Sequence, residues 1–77
     1  MELNEIVIRV PKENSSFCYF VLESLEGMAF YSTLESSLRT SYRDIKINYT
    51  SEFQNDMTIT LERLKAKFPL EILFDVA

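Results

Sequence analysis

The run Ser15-Ser16-Phe17-Cys18-Tyr19-Phe20-Val21-Leu22-Glu23-Ser24-Leu25-Glu26-Gly27 has two readings, and a different architecture follows from each. Phe17, Phe20, Val21, Leu25 and Met28 recur at the 3.6-residue spacing of a helix face. The polar cluster Lys12-Glu13-Asn14-Ser15-Ser16 before them is rich in residues that cap a helix N-terminus, and Gly27 stands where a helix C-terminus favours glycine. Against this, Phe17-Cys18-Tyr19-Phe20-Val21-Leu22 is dense in residues that favour strands. The caps at both ends agree with the spacing, so a helix is predicted. A β-hairpin turning at Glu26-Gly27 is the rival.

The flanking segments are plainer. Residues 5–10 (Glu5-Ile6-Val7-Ile8-Arg9-Val10) alternate as a strand, with Ile6, Ile8 and Val10 on one side, and Pro11 ends its hydrogen-bond ladder. Residues 28–34 alternate and carry strand formers. Residues 35–42 are polar and read as a connection or hairpin tip. Residues 43–49 alternate cleanly, Ile45, Ile47 and Tyr49 against Asp44, Lys46 and Asn48. Ser51 and Gln54 fit a capping box. Phe53, Met57, Thr60, Leu61, Leu64 and Phe68 then mark one helical stripe, with Arg63, Lys65 and Lys67 at the negative pole of the helix dipole. Pro69 stops that helix, and residues 70–76 close as a strand.

The predicted order is β-α-β-β-α-β, an α+β chain of the split-βαβ, ferredoxin-like type. Right-handed crossovers place both helices on one face of a four-stranded antiparallel sheet in spatial order 4-1-3-2. At 77 residues there is one domain, 1–77, hiding roughly 60–65% of its unfolded surface. The helix-covered face is expected to gather Ile6, Ile8, Val10, Phe30, Ile45, Ile47, Tyr49, Ile72, Phe74 and Val76. The open face is expected to be mostly charged, with Val7, Tyr31 and Leu73 as apolar islands suited to an interface.

Composition excludes several functions. Lys and Arg number 8 against 12 Asp and Glu, a net charge of −4, whereas nucleic-acid binders rely on basic side chains to neutralise phosphates; no nucleic-acid partner is expected. No run approaches the roughly 18 apolar residues of a membrane span, and Met1-Glu2-Leu3-Asn4-Glu5 lacks the basic and apolar regions of a signal peptide. A cytoplasmic location without a membrane partner is the expectation. One cysteine and no histidine exclude an intrachain disulfide, a Cys–His nucleophile and a cysteine-based zinc or iron–sulfur centre. No catalytic residue, metal or cofactor is expected. Cys18 reads as a small apolar packing residue. Glu23 and Glu26 lie three apart and read as a solvated pair on a helix surface.

Two segments invite a binding reading. The amides and hydroxyls around Asn14, Ser15 and Ser16 at a helix N-terminus would suit an anion or carboxylate, and plain capping would use the same groups. The loop Ser36-Ser37-Leu38-Arg39-Thr40-Ser41-Tyr42-Arg43 offers two arginines, an aromatic ring and hydroxyls, as either a recognition loop or a solvated hairpin tip.

The stretch from Ile6-Val7-Ile8-Arg9-Val10-Pro11, through Phe20-Val21-Leu22-Glu23-Ser24-Leu25-Glu26-Gly27-Met28-Ala29, to Ser32-Thr33-Leu34 resembles a small bacterial domain family of unknown function with an ACT-like or ferredoxin-like fold. The likeness covers roughly residues 5–68 and centres on a helix ending in Leu-Glu-Gly followed at once by a strand. It implies a fold and no activity. Likeness to true ACT modules is looser: their ligand loop after the first strand commonly contains glycine, and Pro11-Lys12-Glu13-Asn14-Ser15-Ser16 has none. The functional expectation is a non-catalytic structural or protein-interaction module that self-associates or binds a co-encoded protein. The alternative is an ACT-like module sensing a small molecule through Asn14, Ser15 and Ser16.

Overall fold

The computed structural model describes residues 3–25 and 27–76. Strand β1 (Leu3–Pro11) leads through a single 3-10 turn (Lys12–Asn14) into helix α1 (Ser15–Glu23). Strand β2 (Ala29–Thr33) is joined to β3 (Tyr42–Thr50) by a loop containing a 3-10 turn (Glu35–Ser37), and a further turn (Ser51–Phe53) enters helix α2 (Gln54–Lys65). Strand β4 (Glu71–Val76) ends the fold. The run from Ser15 is therefore a helix, not a hairpin. It unwinds after Glu23, and Gly27 takes the left-handed φ of +83° in the turn that delivers β2. Residues with a Cβ rarely adopt that conformation.

The sheet is antiparallel throughout, in the order β2-β3-β1-β4. Counted from the β4 edge this is the expected 4-1-3-2. Strands β1 and β3 form the long central pair, in register from Leu3 opposite Thr50 to Pro11 opposite Tyr42. Both helices lie on one face. Cys18 and Leu22 of α1 and Met57, Leu61 and Leu64 of α2 join Ile6, Ile8, Val10, Ile45, Ile47 and Tyr49 in one buried core.

Three placements differ from the sequence reading. In α1 the buried positions are Ser15, Cys18 and Leu22, not Phe17 and Phe20. Phe20 is 71% exposed, while Phe17 packs edge-on against Phe68 with ring centroids 6.3 Å apart. Apolar side chains surround this helix on nearly every side, so periodicity alone did not select its inner face. In β2 the register pairs Ala29 with Tyr49, Tyr31 with Ile47 and Thr33 with Ile45. Directly opposed residues share a face, so Tyr31 and Thr33 lie on the helix side and Phe30 on the open side, the reverse of the expectation. In β4 the register against β1 shifts between Val7 and Ile8: Ile72 opposes Ile8, Phe74 opposes Val7 and Asp75 opposes Ile6. The extra residue of this irregularity breaks the alternation, sending Phe74 to the open face and Asp75 to the helix face. The expectation that Val76 points inward concerns a side chain outside those described, and the Glu26 half of the Glu23–Glu26 pair lies outside the described residues.

The expected capping box is also replaced. Helix α2 starts at Gln54 behind Phe53, with no side-chain cap bond. The Gln54 side-chain oxygen instead accepts from the Tyr49 hydroxyl (3.0 Å) and the Asn4 amide (3.1 Å), tying the helix start to β3 and β1. The β-branched Thr58 and Thr60 are accommodated by donating to the carbonyls of Gln54 and Asp56 one turn back (3.0 and 2.8 Å).

Candidate functional site

The sheet has two edges, β2 and β4, and among the described residues no further strand pairs with the outer side of either. Such an edge is a template for another strand unless it is blunted by charge, proline or a bulge. The two edges differ in chemistry.

Strand β2, Ala29-Phe30-Tyr31-Ser32-Thr33, carries no charge. Its helix-side residues are held by α1. The Tyr31 hydroxyl donates to the Glu23 carboxylate at 2.7 Å, its ring stacks on Tyr19 at 5.3 Å between centroids, and the Tyr19 hydroxyl bonds Thr33. The bond to Glu23, helped by partial desolvation, pushes the Tyr31 phenol pKa upward. On the open side Phe30, opposite Asn48, is 71% exposed.

Strand β4, Glu71-Ile72-Leu73-Phe74-Asp75-Val76, is acidic at Glu71 and Asp75. Between them Ile72, Leu73 and Phe74 are all exposed, at 38%, 39% and 48%. On the helix side, β4 and α2 flank a groove of about 200 Å³. Ile6, Met57, Leu61 and Ile72 contribute its apolar lining, and Glu62, Lys65 and Asp75 stand around it.

Of the three expected interface residues, Val7 lies on the open face but is only 9% exposed, Leu73 lies on the β4 edge, and Tyr31 lies beneath the β2 edge on the helix side. The open face has a polar centre that the sequence reading missed. Arg9 donates twice to Asp44, at 2.8 and 3.0 Å, and its guanidinium sits 3.8 Å from the Tyr42 ring centroid. Cross-strand pairing of Arg9 with Asp44 is the signal, visible only once the β1–β3 register is known. The contact with Asp44 drives the Arg9 pKa further upward. Asp44 is itself anchored, its backbone N–H donating to the buried Ser37 hydroxyl at 3.0 Å.

The expected binding segments are placed as follows. Ser15 is buried and its hydroxyl donates to the Lys12 carbonyl at 2.8 Å. Asn14 makes no side-chain cap bond, and Ser16 is exposed. In the β2–β3 loop, Arg43 donates from one nitrogen to the carbonyls of Ser37, Thr40 and Tyr42 (3.0, 3.1 and 2.9 Å). That side chain closes the loop on itself. Arg39 remains exposed. Cys18 is fully buried, and desolvation pushes its thiol pKa up to about 11. A thiol so placed is a poor nucleophile at neutral pH.

Among the described residues no cluster of three or more metal-ligating side chains forms, and no helix is long and apolar enough to cross a membrane. No protein-family model, no curated protein and no solved structure matches the chain.

Proposed function

We propose that this chain is a non-catalytic protein-interaction module that self-associates through its β2 edge. The observation that carries the reading is an uncharged edge strand that leaves Phe30 71% exposed on the open face. Two copies related by a two-fold axis would pair β2 antiparallel with β2, joining two four-stranded sheets into one. In the register that opposes Phe30 with Phe30 of the second copy, the rings form a cross-strand aromatic pair on the open face. Such pairs are worth roughly 0.5–1.5 kcal/mol beyond their buried area. No charge on β2 meets its like across the axis. Strand β4 instead carries carboxylates at both ends, Glu71 and Asp75, so a second copy of β4 would bring negative charge alongside negative charge at this edge. In the Phe30–Phe30 register only Ala29, Phe30 and Tyr31 of each β2 meet the other copy's β2, a small contact, so the dimer belongs with weak, transient interfaces. The absence of histidine from the chain and the buried, protonated Cys18 support a role without nucleophilic chemistry.

Sedimentation equilibrium tests this. A monomer–dimer equilibrium is expected in the micromolar range, and Phe30→Lys is expected to shift the chain to monomer without altering its melting temperature. A wild-type chain that stays monomeric to several hundred micromolar would overturn the proposal.

A further inference from the structure

We infer that the β4 edge is a docking site for an extended, basic and apolar segment of a different protein, added as a fifth strand beside β4. The inference stands apart from self-association, because it concerns the opposite edge of the sheet. Three observations carry it. First, among the described residues β4 pairs with one strand alone, β1, and it exposes Ile72, Leu73 and Phe74 in succession. Second, the groove of about 200 Å³ between β4 and α2 lies on the helix side of this edge. A strand added to β4 would direct alternate side chains toward that groove, where Ile72 and Leu61 offer apolar contact. Third, Asp75 and Glu62 stand at the groove, and among the described residues neither has an ion-pair partner within 4.0 Å; Glu71, on the open side, lies opposite Arg9, which partly offsets its charge. Lys65 is the basic residue at the groove. The edge therefore favours lysine or arginine in an incoming strand and disfavours a second copy of β4. Apolar side chains would supply contact area, and the carboxylates would select the partner and speed its encounter.

The probe is a short peptide of lysine and valine in equal number, beside its glutamate–valine counterpart, with the full chain at low salt. Amide hydrogen exchange is expected to show new protection in β4 with the lysine peptide and none with the glutamate peptide. The double variant Asp75→Lys/Glu62→Lys is expected to weaken the lysine peptide at least tenfold and to bind the glutamate peptide instead. Both positions are exposed, so an unchanged melting temperature accompanies that exchange of preference. Equal binding of the two peptides, protection at β2 instead of β4, or β4 protection that rises with protein concentration without peptide would each overturn the inference. So would no protection at millimolar peptide. Sedimentation of the chain alone is read separately, so failure of the dimer and failure of peptide docking are distinguishable.

Discussion

The two edges of this sheet solve the same problem with different means. Strand β2 is held down on its helix side by a polar–aromatic clasp, Glu23–Tyr31 and Tyr19–Thr33, and leaves an uncharged outer face. Strand β4 is more apolar in sequence, yet α2 leaves a groove beside it and its side chains remain exposed. It carries carboxylates where β2 has none. Charge and bulges discourage promiscuous strand pairing, and β4 has both. On the reading proposed above, the uncharged edge takes its own copy, and the acidic edge takes a partner of opposite charge. Exposure of apolar area alone would not separate the two.

The comparison can be broken most forcefully from beneath. Ile47→Ala removes a fully buried side chain opposite Tyr31 and is expected to cost about 2–5 kcal/mol in urea unfolding. Ile72→Ala, at the half-covered β4 edge, is expected to cost about 1 kcal/mol or less. Equal losses would mean that β4 is as well covered as the centre of the sheet.

Alkaline pH probes the support under β2. Cys18 rises from about 9 to about 11 on burial, so folding favours the neutral thiol. That contribution is complete below the unfolded pKa and is lost as pH climbs from about 9 to about 11, on the order of 2 kcal/mol in total. Tyr31, also raised, adds to the loss in the same direction. Cys18→Ala should flatten the Cys18 part of the alkaline decline in a pH series of melting temperatures. The native thiol should also react with iodoacetamide only as fast as the chain opens.

Gly27 sharpens the comparison on the loop that feeds β2. An added Cβ there meets nothing within 4 Å, so Gly27→Ala isolates the backbone cost of its positive φ. A loss of about 1 kcal/mol is expected by thermal unfolding. The smallest effect on stability belongs to Phe30→Lys. It should stay within about 0.5 kcal/mol of wild type while abolishing self-association.

Much of this architecture is legible in the chain. Alternation in 43–49 and the Met57–Leu64 stripe ahead of Pro69 name their elements without help. The phase of β2 was not legible. Both alternating sets of residues 28–34 mix apolar or aromatic side chains with one hydroxyl, Ser32 or Thr33, and Phe30 is the more hydrophobic choice for the inside. Tyr31 takes the inner place because its hydroxyl reaches Glu23 and its ring meets Tyr19, partners supplied by α1. Shifting a strand by one residue exchanges its faces, so a single unresolved choice moved both Phe30 and Tyr31. The same holds for Phe74 and Asp75, which one extra residue at the β4 irregularity re-aimed. The side chains expected as apolar islands moved accordingly: Val7 is nearly covered, Tyr31 faces α1, and Phe30 takes the outward place on β2.

Local spacing, proline stops and strand-forming composition were enough to set the order of elements and to exclude histidine- or disulfide-based chemistry. These properties depend on near neighbours and residue counts. Which side of each edge strand meets water, how Arg9 finds Asp44, and which faces Phe74 and Asp75 take were settled only by strand register and helix placement. Those are relations between residues tens of positions apart, and no short window of sequence contains them.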